Sequence, residues 1–387
     1  MFCLMPYGVS RRKNLSKVEI VPVTNSREQR EFMLLPWKIY RHDQHWVPPL
    51  IMDLKKIFDK KHHPFFLHSE ADFFLARRDG ETVGRIAAIL NHNHNNFHHE
   101  RCAFFGFFES INEPAVATAL LEKVADWARA KGMTTLRGPA NYSSNDTWGL
   151  LVEGFDMPPV ILMTYNPRYY VDLIEQAGFG KAMDLYAWWM TDAHGINPKI
   201  QRVGEKVLKE ENIQLRTINM KDFWGEVEII KKVYNDAWSN NWGFVPMTDA
   251  EFEFLAKDLK PVVDPRLVLV VEKDGEPVGF SLSIPDYNVA LKKINGRLLP
   301  FGLLKVLYHK RAIKHVRVVT LGVIRRLQTN SGIGAALYTE TFRRNAAAGF
   351  HQGEFSWTLE NNALINRGMK LLGAEVYKRY RIYERTM

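Results

Sequence analysis

The stretch VRVVTLGVIRRLQTNSGIGAALYTETF, residues 316–342, holds the residues of this sequence best suited to binding a ligand through the backbone. A β-branched run ending at Val323 passes through a polar loop to Gly332 and Gly334 and then opens a helical segment at about Ile333. Glycines let backbone approach a ligand closely, and the first turn of a helix presents unpaired N–H groups at the positive end of its dipole. Such a turn suits an anion, a pyrophosphate above all. The cradle is expected at the turn around Gly332 and Gly334, a few residues after the basic pair Arg325 and Arg326. A glycine pair that merely starts a helix fits the same letters, so the surrounding elements have to decide.

Those elements repeat. DGETVG at 79–84 returns as DGEPVG at 274–279, 195 positions later, and each copy joins two apolar extended runs, which predicts a β-hairpin. Helical segments precede both hairpins, and short strands, KVEIVPV and IQLRTI, precede the helices. An amphipathic helix follows each, ending at Gly132 and at Gly349, now 217 positions apart; a last helix in each half ends at Gly178 and Gly373, again 195 apart. Two compensating insertions explain a register that shifts and returns. The chain therefore reads as a tandem duplication: 18–192 with an insertion at 138–159, a connector at 193–212, and 213–387 with a basic insertion at 297–315.

In the second half, the glycine loop is followed by a strand, EFSWTL, the pair Asn361 and Asn362, a helix to Gly373 and a final strand. With these elements the half resembles the GNAT superfamily of acyl-CoA-dependent N-acyltransferases, and through the repeat the first half resembles it more weakly. The resemblance implies two α/β domains, each a mixed central sheet flanked by helices, and acetyl-CoA or a longer acyl-CoA as donor. It implies that Leu321, Gly322 and Val323 run beside the pantetheine arm, that Asn330, Ser331, Gly332, Ile333, Gly334 and Ala335 hold the pyrophosphate with Arg325 and Arg326 at the mouth, and that Asn362 faces the same ligand. Thr329 stands at the family's Arg/Gln position, and Met369 stands where many members carry a tyrosine acid.

Acyl transfer to an amine needs a base for the ammonium, donors for the carbonyl oxygen and a proton for the departing thiol. Glu360, at a strand end beside the expected site, is the sequence's first choice of base, and Tyr377 or Tyr380 of acid. The equivalent first-half loop, FFESINEPAVATALL, lacks glycines and carries Glu109 and Glu113, which repel a phosphate at a helix start. One CoA site per chain is expected, in the second half. The first insertion, rich in turn formers, offers Asn141, Tyr142, Ser143, Asn145 and Trp148 as an acceptor-shaping loop. The aromatics Tyr165, Tyr169, Tyr170, Trp188 and Trp189 read as core. NHNHNNFHHE, with His92, His94, His98 and His99, reads as a polar loop, and no metal is expected.

Composition bounds the rest. Of 387 residues, 46% are hydrophobic and 25% charged, which is ordinary for globular domains. Two cysteines, Cys3 and Cys102, are too few for a disulfide framework, so a reducing, cytoplasmic setting is expected. The opening stretch lacks a long apolar core and reads as a loose tail. The net charge of +9 is local: ten basic residues and no acidic one lie between Tyr287 and Thr339. A nucleic-acid coat would spread wider, so no nucleic-acid partner is expected; the acceptor is a small-molecule or peptide amine, and the basic segment LLPFGLLKVLYHKRAIKHV is compatible with peripheral membrane contact. An aminoacyl-tRNA-dependent transferase and a non-catalytic acyl-CoA-binding protein remain as rival readings of the same sequence.

Overall fold

The computed structural model describes residues 17–329 and 331–387. The opening tail and Asn330 of the expected cradle lie outside the described residues. The first half runs β1 (Glu19–Pro22), α1 (Ser26–Ile39), α2 (Ile51–Ile57), β2 (Glu70–Arg78), β3 (Glu81–Leu90), α3 (His92–His98), β4 (Cys102–Ser110), α4 (Pro114–Ala130), β5 (Thr135–Gly138), β6 (Leu150–Glu153), α5 (Tyr170–Gln176) and β7 (Gly180–Thr191). After α6 (Pro198–Val207) come β8 (Ile213–Thr217), α7 (Phe223–Ala237), α8 (Asp249–Leu259), β9 (Val268–Lys273), β10 (Glu276–Pro285), α9 (Asn288–Leu291), α10 (Gly302–His309), β11 (His315–Val323), α11 (Ile333–Ala347), β12 (Gln352–Leu359), α12 (Ala363–Leu371) and β13 (Glu375–Thr386).

Both Asp-Gly turns are as the sequence requires. Asp79 and Gly80 have φ of 50° and 77°, Asp274 and Gly275 of 54° and 80°, so the two central residues are left-handed in each. That geometry follows the twist of the flanking strands.

The strands form one sheet rather than two, in the order β1-β2-β3-β4-β5-β13-β7-β12-β11-β10-β9-β8, with β6 pairing β13. Each half gives its last strand to the other. β13 lies between β5 and β7, and β7 lies between β13 and β12. Period-2 burial places residues on both faces. In the first half Val116, Leu120 and Val124 of α4 cover Phe74, Ile86 and Phe105, while Phe32 and Phe58 cover Phe73, Leu75 and Ile89 on the opposite face. In the second half, Ile333 and Leu337 of α11 pack on Leu269, Val271 and Val278, and Val233 of α7 packs on Val270 and Phe280.

Two segments depart from the sequence reading. The histidine-rich run is helix α3, not a loop: Asn91 caps it by accepting from the His94 N–H, and His94 is buried with its Nε2 3.1 Å from Glu100. Capping and burial outweigh the weak helix propensity of His and Asn. The first insertion contains a strand, β6, hidden by its short length. The connector holds α6 against the start of α11: a Cβ on Gly204 would stand 2.9 Å from the Ala335 carbonyl oxygen.

Candidate active site

β11 and β12 pair in parallel from His315 opposite Gln352 to Val318 opposite Phe355, and then part. Beyond the split, Val319, Thr320, Leu321 and Gly322 are partly exposed although Val316–Val318 and Val323 are buried. Thr320 Oγ1 is buried there without a hydrogen-bond partner among the described residues. A strand edge left open inside a sheet offers backbone groups to an extended ligand.

The first half has the same fork, and its own chain closes it. β4 and β5 pair from Cys102 opposite Thr135 to Phe104 opposite Arg137. Past that point Ala140 N–H donates to the Phe105 carbonyl at 2.8 Å, and Phe107 N–H donates to Asn141 Oδ1 at 2.7 Å. A Cβ on Gly106 would fall 2.0 Å from the Ala140 oxygen, so only glycine allows this approach.

This sealing assigns the five residues of the expected acceptor loop. Asn141 fills the fork edge. Tyr142 is buried, stacked 4.6 Å from Phe65, with its hydroxyl donating to the Ile57 carbonyl. Ser143 donates to Asp146, Asn145 bridges to Tyr234 and the Val245 carbonyl, and Trp148 is buried between Phe104 and Trp242. Asn145 and Trp148 join the first half to the second, and none of the five lines the cleft described below.

In the second half the glycine turn opens α11 from Gly332, which is left-handed at φ 70°. Ser331 Oγ accepts from the Ile333 N–H and donates to the Leu327 carbonyl, while the Gln328 amide donates to the carbonyls of Val323 and Ala237. Val203 and Val207 of α6 cover one side of the turn, so a Cβ on Gly332 would meet Val207 at 2.5 Å; one on Gly334 would meet nothing within 4 Å. Arg325 and Arg326 are exposed beside it, in ion pairs of 3.8 and 3.4 Å with Asp236 and Glu276. A Cβ on Gly322 would strike Trp238, and Val323 is buried. The turn, the open fork and the unpaired Thr320 hydroxyl fit the phosphate and amide groups of an acyl-CoA.

Below the fork, on one face of the sheet, a cleft of ≈ 200 Å³ lies between the halves, walled by Val47, Met157–Val160, Asp286, Asn288, Val289, Lys292, Trp189, His315, Gln352 and Tyr377. His315 Nε2 is 2.7 Å from Asp286 Oδ2. The Asp286 carboxylate also accepts from the Ile161 and Asn288 N–H groups, which fixes its position. Tyr377 donates to the buried Glu354. Burial pushes the Glu354 carboxyl up against the opposing charge of Arg317, and burial followed by the Glu354 charge keeps the Tyr377 hydroxyl protonated far above its ordinary range. The Trp189 ring stands 5.3 Å from both His315 and Tyr377. Between this wall and the fork sits Arg317, buried, donating to Ser356 Oγ at 2.8 Å and to the Ile161 carbonyl at 2.9 Å. Lys378, also buried, donates to the carbonyls of Gly154 and Met157, and burial lowers its pKa to about 8.

Of the three expected proton carriers, only Tyr377 lines the cleft. Glu360 ties β12 to β7, accepting from the Asp184 N–H at 3.0 Å and from Lys181 at 2.7 Å. Tyr380 is enclosed in the core. Asn362 caps α12 by accepting from the Ile365 N–H, and Met369 is buried against Trp188 and Leu372. Sequence reasoning passed over His315, Asp286 and Trp189. The first two flank the second insertion, and their pairing shows only when its neck closes through Asp286 N–H to the His315 carbonyl at 3.1 Å. Trp189 was read as core and lines the cleft instead. A separate trio, His94, Glu100 and Cys102, lies within 4.8 Å, with Glu100 also held by Arg137 at 3.0 Å.

No protein-family model matches the chain. Among solved structures it is similar over 96% of its length to a tandem GNAT protein from the clavulanic acid biosynthesis pathway, with TM-score 0.57, 12% identity and 98% of that chain covered. It is similar also to a GCN5-related N-acetyltransferase from Anabaena variabilis, with TM-score 0.52, 12% identity and 96% of this chain and 73% of that one covered. By sequence it is 36% identical over 376 residues to the bacterial ceramide synthase of Caulobacter vibrioides, covering 96% of this chain and 98% of that protein. It is 34% identical over 371 residues to protein YghO of Escherichia coli, covering 94% of each. With one fork sealed, one open and the relatives matching end to end, this chain has a tandem GNAT fold and belongs to the family of the bacterial ceramide synthase and YghO.

Proposed function

We propose that the chain is an acyl-CoA-dependent N-acyltransferase that acylates the amine of a long-chain amino alcohol and forms a ceramide-type amide. The observation that carries this reading is the asymmetry of the two forks: residues 140–141 fill the first, while the second stays open beside the glycine turn. The ceramide synthase relative favours a long acyl chain over acetyl and a lipid-like amine over a peptide. We propose with it a division into 18–192, a connector 193–212 and 213–387, one donor site per chain, and a reducing, cytoplasmic setting in which the buried Cys102 stays a free thiol.

An acyl-CoA supplies an acyl group already activated as a thioester. Residues 331–335 hold its diphosphate, Leu321–Val323 its amide arm, and the thioester points down the fork toward the cleft. A C–N bond forms and the C–S bond breaks. His315, oriented by Asp286, takes one ammonium proton and releases it to cleft water, then takes the second from the nitrogen as the C–N bond forms; Tyr377, receiving a proton as it gives one and so never left ionised, relays that second proton through cleft water to the departing thiolate. Glu354 and Arg317 hold Tyr377 in place.

The test is to incubate the purified chain with palmitoyl-CoA, or with acyl-CoAs of two to eighteen carbons, in the presence and absence of a sphingoid amine. Thiol release and the amide product are followed together. Amine-dependent release with matching amide is expected. Release that ignores the amine, or none at any chain length, overturns the proposal.

A further inference from the structure

We infer that the second insertion is a membrane-docking element that seats the mouth of the cleft on an anionic bilayer. Its apolar side chains point the wrong way for a core. Leu299 and Phe301 are 82% and 67% exposed, and on α10 Leu303, Leu304, Leu307 and Tyr308 are 52%, 65%, 46% and 68% exposed. At 100° per residue those four helix positions form one stripe, and Gly302 and Val306 lie opposite them, turned inward. Scattered exposed leucines are ordinary on a protein surface; six large apolar side chains within ten consecutive residues are a patch.

Among the described residues the patch has no partner, and the underside of the insertion is already packed. Ala290, Ile294, Gly302 and Ile313 are buried. The first half clamps the base: Trp37 Nε1 donates to Asn295 Oδ1 at 2.8 Å, the Ile51 N–H donates to the Gly296 carbonyl at 3.0 Å, and a Cβ on Gly296 would stand 2.6 Å from the Pro49 oxygen. The apolar tip is thus held out on a rigid pedestal.

Charge selects the occupant. Arg297, Lys305, Lys310, Arg311 and Lys314 surround the tip, and no acidic residue lies between Tyr287 and Thr339. An apolar tip with a basic collar suits the boundary between acyl chains and anionic headgroups. A second copy would bring the same positive collar against it and be repelled. Asn288, Val289 and Lys292, at the root of the insertion, also wall the cleft, so docking the tip brings the cleft mouth to the bilayer surface. This inference needs neither the donor nor the acceptor proposed above.

The test uses the full chain and flotation with vesicles of phosphatidylcholine alone or with 30% phosphatidylglycerol, in about 0.15 M salt, where charge attraction still acts close to the surface. Binding to the anionic vesicles is expected to exceed binding to the neutral ones at least tenfold. The double variant Phe301→Asp/Leu304→Asp is expected to lose at least tenfold, and Lys310→Gln/Arg311→Gln to lose about fivefold per charge on anionic vesicles only. A chain carrying Cys3→Ser and labelled through Leu304→Cys with an environment-sensitive dye is expected to blue-shift on anionic vesicles, which needs no folding assumption about the charged variants. Failure of the wild-type chain to float, undiminished binding of the Asp variant, or a wild-type dimer that the Asp variant dissolves would each overturn the inference, the last in favour of a second copy as the occupant.

Discussion

Leu185 and Tyr380 lie opposite one another where β7 and β13 pair antiparallel, and 195 positions separate them, the spacing that also relates the two Asp-Gly turns. On either side, Tyr186 faces Arg379 and Asp184 faces Arg381, pairs that exchange under the same offset. The axis relating the halves therefore passes between these two residues, and the duplicated units join where each has given a strand away.

Asp184 sits beside that axis, wholly buried, 2.8 Å from Arg381 and 3.2 Å from Lys181. Without the carboxylate, Lys181 keeps Glu360 and Arg381 keeps Glu175, and both cations reach solvent, so the loss is that of charge-assisted hydrogen bonds, roughly 1.5–3 kcal/mol. Asp184→Ala is expected to lower the free energy of unfolding by about that much, measured in urea at pH 7. A loss within experimental error would show the seam to be held by its backbone ladder alone.

The histidine and aspartate of the cleft are separable from donor binding. His315→Gln and Asp286→Asn are each expected to lower kcat about 100-fold or more, the usual yield of a positioned proton carrier. The thermal shift given by acyl-CoA is expected to survive, since neither residue touches the glycine turn. Tyr377→Phe is expected to slow thiol release in single-turnover experiments. Unchanged rates in all three variants would remove the cleft from the chemistry.

The two turn glycines make opposite predictions. Gly332→Ala puts a side chain at φ 70° and against Val207, so it is expected to cost about 1–2 kcal/mol of stability or more. Gly334→Glu faces open space and is expected to fold normally, yet to abolish acyl-CoA binding by like-charge repulsion. Calorimetry on the unmodified chain is expected to give one acyl-CoA per chain; two would contradict the sealed first fork.

Acid sensitivity is expected to start at His63, which is buried against Tyr142 and Phe254 and whose imidazole burial lowers to about 4. An unfolded histidine titrates near 6.5, so between pH 6.5 and 4 the unfolded chain binds a proton that the folded chain refuses. Stability is expected to fall by roughly 3 kcal/mol across that window and to level off below it. His63→Phe is expected to flatten this part of the curve, and urea midpoints at pH 7, 5.5 and 4 measure it.

Much of this architecture was legible because it depends on local chemistry. The Asp-Gly turns, the helices ending at Gly132 and Gly349 and the β-branched run before the glycine turn are written in adjacent letters. The exchange of β7 and β13 was not, since each strand alternates in the same way whichever sheet receives it. The acceptor loop was read by composition, which does not show that Asn141 and Asn145 spend their amides on backbone groups at and beside a closed fork. For the site, the glycine turn before α11 showed in sequence while the His315–Asp286 pair did not. Those two residues lie 29 positions apart, and only the folded neck of the insertion brings them together. Glu360 stood in a suggestive place, but a carboxylate at a strand end is as readily taken by a neighbouring strand as by a substrate.

The crossed final strands make the two halves inseparable. A fragment stopping after Thr191 would leave β5 and β7 with nothing between them, a slot about 9.6 Å across at ordinary strand spacing, lined with unmet amides and carbonyls. Its twin would carry a long terminal ribbon with no host. Each piece holds what the other lacks, so recovering the native molecule from two polypeptides demands that both be present as they fold, and a gene cut at the connector would encode a pair of obligate companions.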